Sequence, residues 1–425
     1  MGRARRLMTL LGLAALIAGQ ASPEAGAFEV GLPEKLLSLA DLRGAMGRAP
    51  DEGVLVHFRP GASGSVVLDT LNSVGARQVG AVYGSDVRIL RGTALLGPAL
   101  AEALMASGSV EYAEPDYTYR ISLTDPADAR FSKQYAHRRI QSVAGWSLYP
   151  GSYDLQGGPT VAVIDTGVDA AHEDLIGKVD REDSACFIGL LCLLSGFSDT
   201  HGHGTHVAGV IAATANNGKG VAGVAFNSRI MGLKVCSPLG TCPLSAVASA
   251  LNWARERGAK VVNMSLGGPA SSTLARAVKE AQQAGLVLVA AAGNDGSTIL
   301  SYPAAYPEVV SVGATDSHDR RARFSNRNSD VELVAPGVGI LSTYTLGLGL
   351  LAAPTLDGYA FLSGTSMAAP HVSGLAALLV GQNPGWTNTQ VVERMHACAD
   401  DLGPPGRDAS YGFGRINVTR ALGGC

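Results

Sequence analysis

A serine stands where a short, glycine-containing stretch passes into an apolar run that predicts a helix. Ser366 lies in the segment Gly-Thr-Ser-Met-Ala-Ala-Pro-His at residues 364–371, and the apolar run continues over 372–380. The first N–H groups of a helix have no acceptor within the helix and carry partial positive charge. A hydroxyl at that position is typical of a nucleophile whose product is an oxyanion, although a helix-capping serine has the same surroundings.

An aspartate follows a run of residues that predicts a buried parallel strand. The run is Thr-Val-Ala-Val-Ile at 160–164, and Asp165 comes where it ends. Functional groups in open α/β sheets gather at the carboxyl ends of strands, so Asp165 is a candidate for a catalytic role. Taken alone, an aspartate before Thr-Gly is also typical of a simple turn.

Three histidines occur within six residues, at positions 201, 203 and 206. Such a cluster first indicates a metal site, but it lacks the glutamate of a zinc-protease helix and has no cysteine or carboxylate cluster nearby. The alternative is that one imidazole accepts a serine proton while a carboxylate fixes its tautomer. Aspartate, histidine and serine follow one another here in the subtilisin order.

Three long segments resemble the subtilase family of serine proteases. They are Val-Ile-Asp-Thr-Gly-Val-Asp at 163–169, His-Gly-Thr-His-Val-Ala-Gly at 203–209 and the serine segment at 364–371. The resemblance extends from about Phe131 to about Leu422 and is closest to the thermitase-like and proteinase-K-like branches. It implies a serine endopeptidase that works through an acyl-enzyme intermediate.

The resemblance assigns catalytic roles to four residues. Ser366 matches the nucleophile, His203 the general base and then acid, and Asp165 the carboxylate that orients His203. Asn294 follows the apolar run at 286–292 and matches the side-chain donor of the oxyanion hole, beside the N–H of Ser366.

The same resemblance implies a substrate groove in which an extended polypeptide adds as a β-strand. The matching positions are Ser265, Leu266 and Gly267 on one side, Leu239, Gly240 and Thr241 on an opposite edge strand, and Asp295 at the rim. Pocket walls of Gly, Ala and Leu favour apolar side chains, whereas Asp295 also admits Lys or Arg, and the residues leave this choice open. Tyr302–Pro303 matches a cis-proline segment. We expect extended or unfolded polypeptides as substrates.

The resemblance also implies a structural calcium site and no organic cofactor. The matching ligands are the side chains of Asp128, Asp174 and Asn217 and the backbone carbonyls of Thr214, Lys219 and Val221, with Asp125 as an alternative to Asp128. An all-oxygen set of this kind suits Ca²⁺. The alternative is a solvated Asn-Gly loop without an ion.

Composition and charge restrict the partners and the compartment. The 425 residues carry a net charge of −3, with 46% hydrophobic and 16% charged residues, so nucleic acid is not an expected partner. The N-terminal arginines, a short apolar run over 7–18 and Ala-Gly-Ala at 25–27 predict a secretory signal peptide, with an uncleaved anchor as the lesser alternative. We expect a secreted monomer, extracellular or periplasmic, that has no membrane contact after signal removal.

Six cysteines fall in three groups of sequence neighbours. They are Cys186 and Cys192, Cys236 and Cys242, and Cys398 and Cys425. Export favours disulfides over free thiols, and the sequence alone allows many pairings. Pairing of the nearest neighbours is our hypothesis, and the Cys236–Cys242 bridge would brace the predicted edge strand that binds substrate.

The chain is predicted to contain five segments. These are a signal peptide (1–27), an unclear N-terminal segment (28–51), a propeptide domain (52–119), a processing linker (120–130) and a catalytic domain (131–425). Within residues 131–425, runs typical of strands alternate with runs typical of helices. This alternation predicts an α/β domain with a parallel sheet covered by helices on both faces. Residues 52–119 fit a small α+β, ferredoxin-like βαββαβ module. That module resembles the subtilase propeptide, an intramolecular inhibitor, and a permanent accessory domain is the alternative.

Overall fold

The computed structural model describes residues 53–95, 97–116, 125–149, 157–345 and 357–425. The predicted signal peptide, the segment 28–51 and residues 120–124 of the predicted linker lie outside these ranges. The described residues form two compact units, one within 53–116 and the other within 125–425.

The N-terminal unit is a four-stranded antiparallel sheet with two helices. Its elements are β1 (Val54–Phe58), α1 (Gly64–Ser73), β2 (Ala76–Ala81), β3 (Arg88–Gly92), α2 (Gly97–Ala106) and β4 (Val110–Pro115). The strand order β2-β3-β1-β4 and the βαββαβ sequence agree with the predicted module. In β1 buried and partly exposed residues alternate, which is why its pattern could be recognised.

The C-terminal unit contains a seven-stranded parallel sheet. Its strands are β5 (Thr160–Asp165), β6 (Ala185–Cys186), β7 (Arg229–Lys234), β8 (Val261–Met264), β9 (Val287–Ala291), β10 (Val310–Thr315) and β11 (Val331–Pro336). The order is β11-β10-β9-β8-β5-β7-β6. A separate antiparallel pair joins β12 (Ile340–Thr343) to β13 (Tyr359–Leu362). The predicted parallel α/β fold is therefore confirmed.

Helices cover both faces of this sheet. They are α3 (Tyr135–Arg139), α4 (Ser142–Trp146), α5 (Leu191–Ser195), α6 (His203–Ala212), α7 (Leu244–Glu256), α8 (Ser272–Gln283), α9 (Thr365–Gln382), α10 (Asn388–Ala397) and α11 (Val418–Gly423), with a 3₁₀ turn at Phe131–Lys133. Alternate residues of β5 pack into two separate cores, one shared with α6 and α9 and the other with α7 and α8. Every residue from Met367 to Leu379 is buried, so α9 is the central helix.

Three disulfides join Cys186 to Cys192, Cys236 to Cys242 and Cys398 to Cys425, which confirms the nearest-neighbour hypothesis. The Tyr302–Pro303 peptide bond is cis, as the resemblance implied. Within the described ranges, no helix combines the length and apolarity needed to cross a bilayer.

Candidate active site

The fold brings Asp165 and His203 together at the carboxyl edge of the sheet. Asp165 is the last residue of β5, and His203 is the first residue of α6. The Nδ1 atom of His203 lies 2.7 Å from Oδ1 of Asp165, which also accepts the N–H of Thr166 at 2.7 Å. The carboxylate is 2% exposed, so it holds the imidazole in one orientation from the protein interior.

Electrostatics favour a charged imidazole at this position. Burial by itself lowers the pKa of His203, but the negative charge of Asp165 and the hydrogen bond to it act in the opposite direction. The charge of Asp199 acts in the same direction as that of Asp165. The net result is a pKa of His203 above its ordinary value, which suits a residue that must accept a proton near neutral pH.

The three histidines have separate surroundings and do not form one cluster. Nε2 of His206 is buried and donates to the carbonyl of Ile340 at 2.9 Å and of Ala360 at 3.1 Å. The ring centroid of His201 lies 6.3 Å from that of His203, and burial together with the nearby charge of His203 lowers the pKa of His201. Of these three histidines, His203 is thus the one whose ring bonds to the carboxylate of Asp165.

Ser366 is the second residue of α9, where the chain enters the helix from Gly364. Its hydroxyl donates to the carbonyl of Ser265 at 3.2 Å, and the Ser265 hydroxyl donates to the carbonyl of Ser366 at 2.9 Å. Among the described residues, the Ser366 hydroxyl makes no hydrogen bond to His203. Bonds between a nucleophile and its base are commonly long without substrate and tighten when substrate binds.

Asn294 lies three residues beyond the end of β9 and contacts the start of α9. Its Oδ1 accepts both the N–H and the hydroxyl of Thr365, each at 2.9 Å. With the oxygen held in this way, the Nδ2 group has no acceptor among the described residues and is available to a ligand. An amide donor beside the N–H of Ser366 is the arrangement that an oxyanion hole requires.

Comparisons with known proteins agree with this geometry. The model of the Subtilase family matches residues 156–414. The chain belongs to the subtilase family. It is 40% identical over 328 residues to the thermophilic serine proteinase of Bacillus sp. (strain AK1), covering 76% of this chain and 75% of that one. It is 39% identical over 303 residues to thermitase of Thermoactinomyces vulgaris, covering 70% and 99%.

A solved structure supports the same assignment. A protease from Pseudoalteromonas arctica PAMC 21717 superposes with a TM-score of 0.63 at 31% identity, covering 71% of this chain and 99% of that one. This subtilase is therefore a serine endopeptidase, and its substrates are polypeptides.

The predicted substrate-binding residues of this subtilase lie in two different settings. Ser265, Leu266 and Gly267 follow β8, where Gly268 exchanges two backbone hydrogen bonds with Tyr302 at 2.9 and 3.0 Å. Asp295 is exposed on the loop after β9, and its N–H donates to Oδ1 of Asn326 at 2.9 Å.

The prediction of an edge strand at Leu239–Thr241 is wrong in its secondary structure. The Cys236–Cys242 bridge closes a loop in which the N–H of Ser237 donates to the carbonyl of Thr241 and that of Gly240 to Ser237, both at 2.9 Å. Gly240 has φ +76°, which is compatible with a turn but not a strand. The loop still borders the site, since a Cβ on Gly240 would lie 3.3 Å from Nε2 of His201.

Two buried charged residues that sequence reasoning did not single out organise the site of this subtilase. Asp199 accepts the N–H groups of His201, Gly202 and Thr205 and the hydroxyls of Thr166 and Thr205, at 2.7–2.9 Å. Lys234 pairs in register with Asp165 and donates to the carbonyls of Thr166 and Ser198 at 2.6 and 2.9 Å. The available signal in the sequence is a lysine directly after the uncharged run Ile-Met-Gly-Leu at 230–233.

The predicted calcium ligands converge around two buried carboxylates. Asp174 is fully buried and Asp128 is 5% exposed. Asp128 accepts the N–H of Asn216 at 2.7 Å, and Asp174 accepts Nδ2 of Asn217 at 2.8 Å and the N–H of Val221 at 2.8 Å. Burial raises the pKa of Asp128, and the negative charge of Asp174 raises it further. Hydrogen bonds from backbone N–H groups, including those of Asn216 and Asn217, lower the pKa of Asp128 but do not cancel this rise.

These residues fit a calcium ion in their donor chemistry. The carbonyls of Thr214, Lys219 and Val221 belong to the same loop, whereas Asp125 is exposed, which favours Asp128 of the two alternatives. Within the described ranges, no three carboxylate, histidine or cysteine side chains form a metal-binding group, so such a site depends on carbonyl oxygens. Binding also requires the Asn217 amide to turn its oxygen towards Asp174.

Removing the amide donor is expected to slow catalysis without weakening substrate binding. Asn294→Ala should lower kcat about 10²- to 10³-fold with little change in KM, because we expect the amide to donate to the oxyanion of the transition state. Steady-state kinetics on a short chromogenic peptide would measure this, with Asn328→Ala as the control, since the Asn328 amide donates to the carbonyl of Ile299 instead. An unchanged kcat would contradict the oxyanion role of Asn294.

Proposed function

We propose that this subtilase is a secreted, self-processing endopeptidase that cuts extended or unfolded polypeptides through Asp165, His203 and Ser366. The observation that carries the proposal is the 2.7 Å pair of His203 and buried Asp165, which leaves Nε2 of the imidazole to receive a proton. The position of Ser366 at the start of α9 adds a nucleophile whose own N–H lies in the first turn of the helix.

The chemistry follows from these positions. His203 takes the proton of the Ser366 hydroxyl as the oxygen attacks the substrate carbonyl, and Asp165 stabilises the resulting imidazolium. The N–H of Ser366 and Nδ2 of Asn294 bind the oxyanion of the tetrahedral intermediate. His203 then returns its proton to the leaving amine. Water, activated in the same way, hydrolyses the acyl-enzyme and frees Ser366.

We further propose that residues 52–119 act as a propeptide that inhibits the catalytic domain in the same chain. The module has its own core, in which Val54, Leu90, Leu100 and Leu104 are fully buried, so it folds as a unit. A parallel sheet with long-range connections folds slowly, and a folded module upstream provides a template and keeps the protease inactive before export. The linker at 120–130 is the proposed processing region.

Expression of the full chain beside Ser366→Ala tests this function. The wild-type chain should lose the residues upstream of the linker and then digest unfolded casein, because its own serine makes the cut. The Ser366→Ala chain should keep the module, as judged by mass spectrometry of protein from a protease-deficient host. Equal maturation of both chains would refute self-processing, and a matured wild-type chain without activity on casein would refute the proposed activity.

We propose that Asp128, Asp174, Asn217 and the carbonyls of Thr214, Lys219 and Val221 bind one structural Ca²⁺. A chelator should then lower Tm by about 2–4 °C for each kcal/mol of binding free energy that is lost. The Asp128→Asn variant should lose most of this response, whereas Asp330→Asn, at a site remote in sequence, should keep it. Scanning calorimetry with and without added calcium measures both, and a chelator-insensitive wild-type Tm would contradict the site.

A further inference from the structure

Four leucine side chains project into solvent from two neighbouring segments, the loop after β6 with the short helix α5 that follows it and the loop after β7. Leu190, Leu193 and Leu194 are 80%, 82% and 85% exposed, and Leu239 is 81% exposed. We call these four residues the leucine platform. Exposing several large apolar side chains together opposes the hydrophobic effect, and such patches mark interaction sites in soluble proteins.

Each loop of the leucine platform is held by a disulfide. The bridge from Cys186 to Cys192 closes the loop after β6, and the bridge from Cys236 to Cys242 closes the loop after β7. These two strands are neighbours at the edge of the sheet, with Cys186 opposite Lys234. The two loops therefore leave the same sheet edge side by side.

The inner residues of both loops are anchored in the core. Phe187, Ile188 and Cys242 pack against the same hydrophobic cluster between the sheet and helices α7 and α8. The N–H of Phe187 also donates to the carbonyl of Lys234 at 2.9 Å. The four leucines are thus exposed on anchored segments, while Phe187, Ile188 and Cys242 of the same segments are partly buried.

The loop that carries Leu239 borders the histidines of the site. Gly240, next to Leu239, lies against the ring of His201, whose centroid is 6.3 Å from that of His203. The first loop continues through Phe197, whose carbonyl accepts the N–H of Val168 at 3.0 Å, close to Asp165 in the chain. Both segments that carry the leucines therefore start at the carboxyl edge of the sheet, where β5 ends in Asp165.

The charge pattern favours an apolar peptide over other occupants. Residues 185–197 and 235–254 contain no Asp, Glu, Lys or Arg. An anionic lipid surface or a nucleic acid would be held by Lys or Arg, and the platform offers none. An unfolded polypeptide exposes apolar side chains that leucines can cover without any charged partner.

We propose that the leucine platform extends substrate binding beyond the groove: Leu190, Leu193 and Leu194, on the segment that neighbours the predicted groove residue Leu239, form an exosite for an apolar segment of an unfolded polypeptide substrate. The proposal rests on the proposed endopeptidase function and adds a preference for long substrates with apolar flanks. Because the groove already tethers the substrate, the second contact is intramolecular and lowers KM with little effect on kcat. A tetrapeptide is too short to reach both places.

The test compares one enzyme on two substrates. The triple variant Leu190→Ser, Leu193→Ser, Leu194→Ser should show kcat/KM reduced about tenfold, through KM, on a long peptide with apolar flanks. On a tetrapeptide p-nitroanilide its kcat/KM should stay within roughly twofold of wild type. Ile176→Ser is the matched control, because Ile176 is 61% exposed and lies outside both loops. It should leave both substrates unaffected.

Several results would overturn the exosite. An equal loss on both substrates would mean that the loops only support the groove, and no loss on either would mean that the platform binds no substrate. Conversion of a wild-type dimer to a monomer in sedimentation would assign the platform to a second copy, and loss of binding to phosphatidylcholine vesicles would assign it to lipid. If the triple variant does not fold, Leu193→Ser is tested in its place. A wild-type chain inactive on the tetrapeptide would contradict the proposed function instead.

Discussion

Replacing His203 by alanine is expected to lower kcat for peptide hydrolysis by about 10⁶-fold, as for loss of a central member of a catalytic triad. Without the imidazole, no described group near Ser366 can take the hydroxyl proton at neutral pH. Binding should change little, since the groove does not depend on this ring, so KM should stay close to that of wild type. Single-turnover kinetics on a chromogenic peptide separate the two effects.

The neighbouring histidine supplies a matched control for this experiment. His201 is of the same residue type and lies 6.3 Å away between ring centroids, but its ring has no bond to Asp165. His201→Ala should therefore lose far less activity than His203→Ala. Inactive variants should be matured in trans by tagged wild-type enzyme that is then removed. A loss with His201→Ala as large as with His203→Ala would contradict the assignment of the base.

Asp165→Asn is expected to lower kcat about 10⁴-fold and to change the pH profile. The base works only when neutral, and Asp165 raises the pKa of His203 above its ordinary 6.5. For wild type, kcat/KM should therefore fall as the pH drops through a midpoint above 6.5. Removal of the carboxylate charge leaves burial as the main influence, so the midpoint of the variant should lie at lower pH than that of wild type.

The pH profile of kcat/KM measures this shift directly. Asp330→Asn serves as the control, because it removes a carboxylate far along the chain without contact to His203. That variant should keep both the rate and the wild-type midpoint. A midpoint for Asp165→Asn at or above that of wild type would show that Asp165 does not govern the charge of His203.

The sequence predicted those parts of the fold whose residues alone favour one structure. The β-branched run at 160–164 and the apolar run at 286–291 became β5 and β9 because buried parallel strands need such residues on both faces. The long apolar run after Ser366 became α9, since a helix that is apolar on all sides can only be the central one.

Other elements could not be predicted because tertiary contacts determine them. Strand β2, Ala-Arg-Gln-Val-Gly-Ala, has one β-branched residue and no buried residue. Its extended conformation therefore depends on its pairing with β3 and not on its own residues. Strand β6 is only two residues long. At 239–241 a disulfide and a glycine with positive φ produce a turn where an edge strand was expected.

The candidate site shows the same division. Asp165, His203, Asn294 and Ser366 each lie at the end of a predictable element, so motif and element together locate them. The hydrogen bonds that Thr166 makes with buried Asp199 and with buried Lys234 join segments far apart in the chain, and only the folded structure reveals them.

Covalent labelling tests most directly whether Ser366 is the nucleophile that His203 activates. The matured chain would be treated with a fluorophosphonate, digested and analysed by tandem mass spectrometry, beside Ser366→Ala and His203→Ala. The account predicts one phosphonyl adduct on Ser366 of the wild type, with activity lost in proportion, and no adduct at that position in either variant over the same time. An adduct on another serine, or equal labelling of Ser366 in His203→Ala, would contradict it.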